Sequence, residues 1–279
     1  SVAFDSSAIS TGEHTKTITI VTTDASGNST TSTDTLVVDT VAPVINFNTV
    51  EGDNVINAVE ASNGVTLTGT GEAGASIVVT FQGQQQTTTV AGDGSWSVNY
   101  AASSIAAGTY SSDFSVVSTD AAGNSTTSTH TVTVDTETTA SVNGPIAGDN
   151  VINGTEQSAG VTLTGTAEAG STVVVTLGAA SHTVTANASG NWSSVFHSFE
   201  IPTGIASLQA QAVSTDLAGN TTTTASTTVA VDTSTYASIS SNSAGVDNTV
   251  NQSESQAGVT FTETSEANAT ITVSVGDIL

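Results

Sequence analysis

Residues 119–126 read TDAAGNST, residues 23–30 read TDASGNST and residues 215–222 read TDLAGNTT. The acids of these strings, Asp24, Asp120 and Asp216, stand 96 residues apart each time. Self-similarity at a fixed period is the mark of stacked structural units. Further sets keep the same register. VDT places Asp39, Asp135 and Asp232 at intervals of 96 and 97, and GDNVIN fills 52–57 and 148–153 before returning weakened as VDNTVN at 246–251. Behind it come Glu60, Glu156 and Glu254, then Glu72, Glu168 and Glu266 in GEAG, AEAG and SEAN. Trp96 and Trp192 keep the interval of 96.

This register divides the chain into the C-terminal part of one module (1–39), two complete modules (40–135 and 136–232) and the N-terminal part of another (233–279). The ends are therefore not expected to be natural domain boundaries. The chain is expected to be monomeric, with head-to-tail contacts between incomplete end modules as one way of satisfying them. Within a module the apolar residues alternate. Val65 and Leu67 interleave with Thr66 and Thr68, Ile77 and Val79 with Val78 and Thr80, and Trp96, Val98 and Tyr100 with Ser97 and Asn99. Period two predicts strands packed on one face. Helix caps and 3.6-residue periods are nearly absent. About seven short strands separated by turn signals such as AGDGS and DAAGN predict an all-β fold: tandem immunoglobulin-like β-sandwich modules arranged as an extended rod.

The 279 residues include 25 acids and one base, Lys16, for a formal net charge of −24. Nucleic acid and anionic membrane surfaces are excluded as partners, because both need clustered Lys or Arg. With 37% apolar residues the chain nevertheless has the material for a core. There is no cysteine, so no disulfide and no thiolate metal site. No apolar run reaches the roughly 18 residues of a membrane span, and residues 1–30 lack the pattern of a signal peptide.

Such one-sided charge calls for cations. In an immunoglobulin-like sandwich the loop holding Glu72 and the loop holding Asp120 lie at the end where the chain comes in, and the last strand of the previous module delivers Asp39 there. Asp135, Glu168 and Asp216 repeat the set at the next junction. Asp24 in the first incomplete module, Asp232 at the end of the second complete module and Glu266 in the last incomplete module are the matching acids. Clustered carboxylates are unfavourable unless they share a cation. Ca²⁺ fits best, since it takes six to eight oxygens in irregular geometry. Asp53, Asn57 and Glu60, with Asp149, Asn153 and Glu156 as their copy, form a second candidate cluster. The plainer reading of all these Asp and Asn residues is turn formation; their recurrence in an almost base-free chain favours calcium.

Trp96 and Trp192 could offer sugars a stacking platform, but the alternation turns Trp96 into the core. The Thr-x-Thr rows suit an ice-binding ladder less well than ordinary β propensity. Catalysis has little support: His14, His130, His182 and His197 share no repeat position, and none has a recurring Ser or acid at a triad-like spacing.

Taken together, VDT, GDNVIN, VTLTGT, EAG, the G-x-W strings GSW and GNW, and TDxAGN resemble the bacterial Ig-like repeats of giant type I-secreted, non-fimbrial adhesins, over essentially the whole chain. The resemblance implies an extracellular place on the bacterial surface, calcium at module junctions, and a long stalk serving attachment to a host-cell surface or glycan. A carbohydrate-binding or accessory sandwich of a secreted enzyme is the alternative.

Overall fold

The computed structural model describes residues 2–242, 249–274 and 276; positions 246–248 of the weakened string lie outside these. By contact the chain falls into two units, Ser1–Thr138 with Thr215–Thr221, and Thr139–Ser214 with Thr222–Leu279.

The first unit opens with a hairpin, β1 (Glu13–Thr23) and β2 (Ser29–Asp39), in continuous antiparallel register from Glu13↔Asp39 to Thr23↔Ser29. A two-sheet sandwich follows. One sheet is ordered β3 (Ile45–Phe47), β5 (Val65–Gly71), β8 (Ser95–Tyr100). The other runs β4 (Val55–Ile56), β10 (Ser125–Asp135), β9 (Thr109–Thr119), β6 (Ser76–Phe81), β7 (Gln84–Thr89). All of its pairings are antiparallel except the short β4, which lies parallel to β10 with Ile56 opposite Val134.

The alternation read from sequence is the alternation of burial. Val65, Leu67, Ile77, Val79 and Phe81 are fully buried, as are Tyr100, Phe114 and Val116 to within 1% exposure. Burying a side chain of this size contributes on the order of 1.5–3 kcal/mol. Phe47 meets Phe114 edge to face at 5.2 Å, and Phe81 meets Tyr100 likewise at 5.4 Å. Trp96 lies inside, 3% exposed. It fits only because the facing residue is glycine: a Cβ on Gly69 would run into the Trp96 ring and the Asn46 carbonyl, and one on Gly165 into Trp192 and Ser141.

The second unit repeats the design. Its smaller sheet is β11 (Ala140–Val142), β13 (Val161–Ala167), β16 (Asn191–Phe196). Its larger sheet is β12 (Val151–Asn153), β19 (Thr227–Asp232), β17 (Ile205–Thr215), β14 (Thr172–Leu177), β15 (Ala180–Thr185), with β18 (Thr221–Thr223) also on β17. The core is leaner in aromatics, with Leu177, Ala210 and Phe196 where the first unit has Phe81, Phe114 and Tyr100. A two-stranded pair, β20 (Ala237–Asn242) and β21 (Phe261–Ser265), completes it.

One feature departs from the expected scarcity of helix caps. Three six-residue helices, α1 (Ala58–Asn63), α2 (Gly154–Ala159) and α3 (Gln252–Ala257), each open on a capping box built from Asn and a Glu three residues on: Asn57/Glu60, Asn153/Glu156 and Asn251/Glu254. The Asn side chain accepts backbone N–H groups of the first turn while the Glu accepts the Asn N–H.

Candidate metal centre

The TDAAGN string builds a closed loop between β9 and β10. Asp120 Oδ1 accepts the Asn124 N–H at 2.9 Å, Asp120 Oδ2 accepts Asn124 Nδ2 at 2.8 Å, and the Asp120 N–H returns to the Asn124 carbonyl at 3.0 Å. Gly123 takes φ +94°, which a side chain would resist. The closed loop presents Asp120 inward, 7% exposed. Burial pushes its carboxyl up, but hydrogen bonds from the Asn124 side chain and from the N–H groups of Asn124, Gly123 and Ala122 outweigh this and hold it below the ordinary carboxylate value. Asp24 and Asn28 close the same loop between β1 and β2.

Strand β2 ends at this loop: Asn124 Nδ2 donates to the Asp39 carbonyl at 3.3 Å. Glu72, in the turn after β5, joins them. Its carboxyl is raised above its ordinary 4.5, first by burial and then by the negative charges of Asp120, Asp39 and Glu13. Three of these four acids were expected from the repeat. Glu13 was not, because the positions one and two periods on are Thr109 and Ile205. The signal that finds it is strand register, which sets Glu13 directly opposite Asp39.

A second loop of this kind, Thr215–Thr221, belongs by contact to the first unit. Asp216 accepts the Asn220 N–H at 2.8 Å and Asn220 Nδ2 at 2.9 Å, and Asn220 Nδ2 also donates to the Asp135 carbonyl at 2.8 Å. Asp135 and Asp216, 8% and 7% exposed, bring carboxylate oxygens within 4.8 Å of one another. Thr109 Oγ1 donates to Asp135 Oδ1 at 2.8 Å, the place that Glu13 takes opposite Asp39. In the second unit Glu168 follows β13 and its carbonyl accepts the Ser171 N–H. Asp232 ends β19 with Oδ1 buried and without a hydrogen-bond donor among the described residues, Ile205 standing opposite where Thr109 faces Asp135. The carbonyl of Glu266 accepts the Ala269 N–H in the turn after β21.

Asp53, Asn57 and Glu60 have local work. Asp53 Oδ1 accepts the Val55 N–H at 2.8 Å, and Asn57 and Glu60 form the α1 cap. Asp149, Asn153 and Glu156 do the same before α2. The Asn-x-x-Glu spacing that suggested a ligand set is also the spacing of a capping box.

Lys16, the one base of the chain, donates to the Ala8 carbonyl, and the acid clusters have no basic side chain among them. Among the described residues the basic side-chain nitrogen that meets a carboxylate is His182 Nε2, 2.8 Å from Glu200 Oε1 in the second unit. The other ring nitrogen of His182 lies 2.9 Å from Ser194 Oγ. This Ser–His–Glu line joins β15 to β16 and the turn after it, so no spacing along the chain marks it. Ser194 faces inward on β16, 5% exposed, and the imidazole stacks on Phe196 at 4.4 Å. The line closes the flank of the core.

A family model described as a bacterial Ig domain matches residues 53–135. Among solved structures, the chain is 32% identical to a Ca²⁺-stabilized adhesin that helps an Antarctic bacterium reach out and bind ice, over 86% of this chain and 62% of that one, with a TM-score of 0.43. It is 30% identical to a 1.5-MDa bacterial ice-binding adhesin, over 78% of this chain and 74% of that one, again with a TM-score of 0.43. A bacterial immunoglobulin-like domain from the M. primoryensis ice-binding adhesin is 37% identical over 34% of this chain and 98% of its own, with a TM-score of 0.28. No curated protein matches the chain.

Proposed function

Since this chain belongs to the bacterial immunoglobulin-like domain family, in tandem copies related to those of large bacterial adhesins, we propose that it is a spacer in the stalk of a secreted cell-surface adhesin and that calcium couples its modules into a stiff rod. One observation carries the reading: Glu13 and Asp39 stand opposite one another where β2 meets the Asp120 loop, with no basic side chain to offset them, and burial followed by the negative charges of Asp120, Asp39 and Glu13 raises the carboxyl of Glu72.

The donors fit a hard dication. All are oxygens, from carboxylates and backbone carbonyls, and Asp232 holds a buried oxygen that no donor among the described residues satisfies. Asp39, Glu72 and Asp120 would hold one ion, with Glu13 adding charge. Asp135 and Asp216, whose carboxylate oxygens lie within 4.8 Å of one another, would hold another. Asp232 and Glu266 supply the corresponding acids of the next set. Bound calcium would neutralise these charges and tie strand ends to loops. Asp53, Asn57, Glu60 and their copies have one oxygen each engaged in the turn and the cap, which leaves the second oxygen of each carboxylate as what they could offer an ion.

A spacer needs no catalytic group and no sugar platform, and the burial of Ser194, Trp96 and Trp192 accords with that. Contact with a host-cell surface or glycan would belong to other parts of the adhesin, presented outside the bacterium by the stalk. Small-angle scattering of the chain in calcium and then in chelator tests the proposal. The maximum dimension should contract and its distribution broaden on chelation, with calorimetry giving at least two bound ions per chain. Equal length in both conditions would refute the calcium-stiffened stalk.

A further inference from the structure

The Asn that closes each TDxAGN loop has a second task where a strand end lies beside it. Asn220 is 6% exposed and every polar group of its side chain is engaged. Nδ2 donates to Asp216 Oδ2 at 2.9 Å and to the Asp135 carbonyl at 2.8 Å, and Oδ1 accepts the backbone N–H of Ala58 at 2.8 Å. Ala58 lies 162 residues away in sequence, at the start of α1. All four residues belong to the first unit. Asn124 makes the first two of these bonds, to Asp120 and to the Asp39 carbonyl. Asn28 makes the first, to Asp24.

We infer that Asn220 is a positioning residue that latches the Thr215–Thr221 loop to Asp135 and Ala58 without metal, so that the Asp135 and Asp216 carboxylates are held side by side before a cation arrives. Two carboxylates within 4.8 Å repel each other. An uncharged amide between them opposes that repulsion, since it donates at once to one carboxylate and to the carbonyl of the other residue. Only an amide can do this and also accept from Ala58. Aspartate at 220 keeps the acceptor but loses both donors and sets a third negative charge against Asp216. Alanine loses all three contacts.

The inference rests on the reading of the Asp135 and Asp216 carboxylates as an ion site, but its main readout is independent of metal. Amide hydrogen exchange on the full chain in chelator follows the Ala58 N–H directly, with the Ala186 N–H, bonded to the Ser171 carbonyl, reporting that the second unit remains folded. In the unaltered protein Ala58 should be protected. Asn220→Ala should speed its exchange about five- to tenfold, the worth of one hydrogen bond, with Ala186 unchanged. Asn124→Ala, the same position one period earlier, should leave Ala58 as it was. Asn220→Asp should weaken protection less than Asn220→Ala at Ala58, and in a calcium titration Asn220→Ala should bind more weakly than the unaltered chain. Free exchange of Ala58 in the unaltered protein, or equal protection with and without Asn220→Ala, overturns the latch. Protection that responds to Asn220 in a chain that binds no calcium would uphold the latch and remove the proposed metal instead.

Discussion

Glu72 shows how a single carboxylate reports on its surroundings. Its folded-state pKa lies above the ordinary 4.5 because burial and three neighbouring acids disfavour the charge. A raised pKa means stability that is fully present below the unfolded value and is lost as pH rises through the folded one. In chelator, thermal stability should therefore increase as pH is lowered toward 4.5. Glu72→Gln should give the same gain at neutral pH and flatten that slope, while weakening calcium binding by at least tenfold, as removal of a charged ligand does. A Glu72→Gln chain with unchanged pH dependence in chelator would show that the acids do not interact. Glu72 and Asp120 were legible as a pair because each recurs one period on. Glu13 was not, since nothing in the repeat marks it; only the pairing of β1 with β2 sets it across from Asp39.

At the scale of elements, strands were easier to read than the three short helices. Val65, Leu67, Trp96 and Tyr100 declare a buried face by alternation alone, and all four are buried. Helix α1 has six residues, too few for a 3.6-residue period to appear, and its one sequence signal is the cap. Asn57 and Glu60 carry oxygens suited equally to a cation and to backbone N–H groups, so the string by itself points to either role. Asn57→Ala should cost about 1 kcal/mol, the usual worth of such a cap, read as a lower midpoint in urea unfolding with an unchanged slope. The loss should be the same in calcium and in chelator if capping is the whole role of Asn57, and larger in calcium if it is a ligand.

Across the whole molecule the dominant quantity is a net charge of −24 carried with one basic side chain. Monovalent salt screens such charge diffusely, whereas a specifically bound dication adds stability by mass action, about 2.7 kcal/mol per site at a hundredfold excess over Kd. Millimolar calcium should therefore raise the melting temperature well beyond sodium chloride at matched ionic strength. Equal shifts would mean that the acids act only as diffuse charge. What the amino-acid order determined by itself is the repeat, the strand periodicity and the excess of acid, because each is a one-dimensional property that survives any folding. The tertiary structure decided which oxygens meet: Glu13 beside Asp39, Asn220 between Asp135 and Ala58, His182 between Ser194 and Glu200. These contacts join stretches 12 to 162 residues apart through strand pairing and loop docking, and electrostatic and hydrogen-bond partners depend on distance in space, which spacing along the chain does not encode.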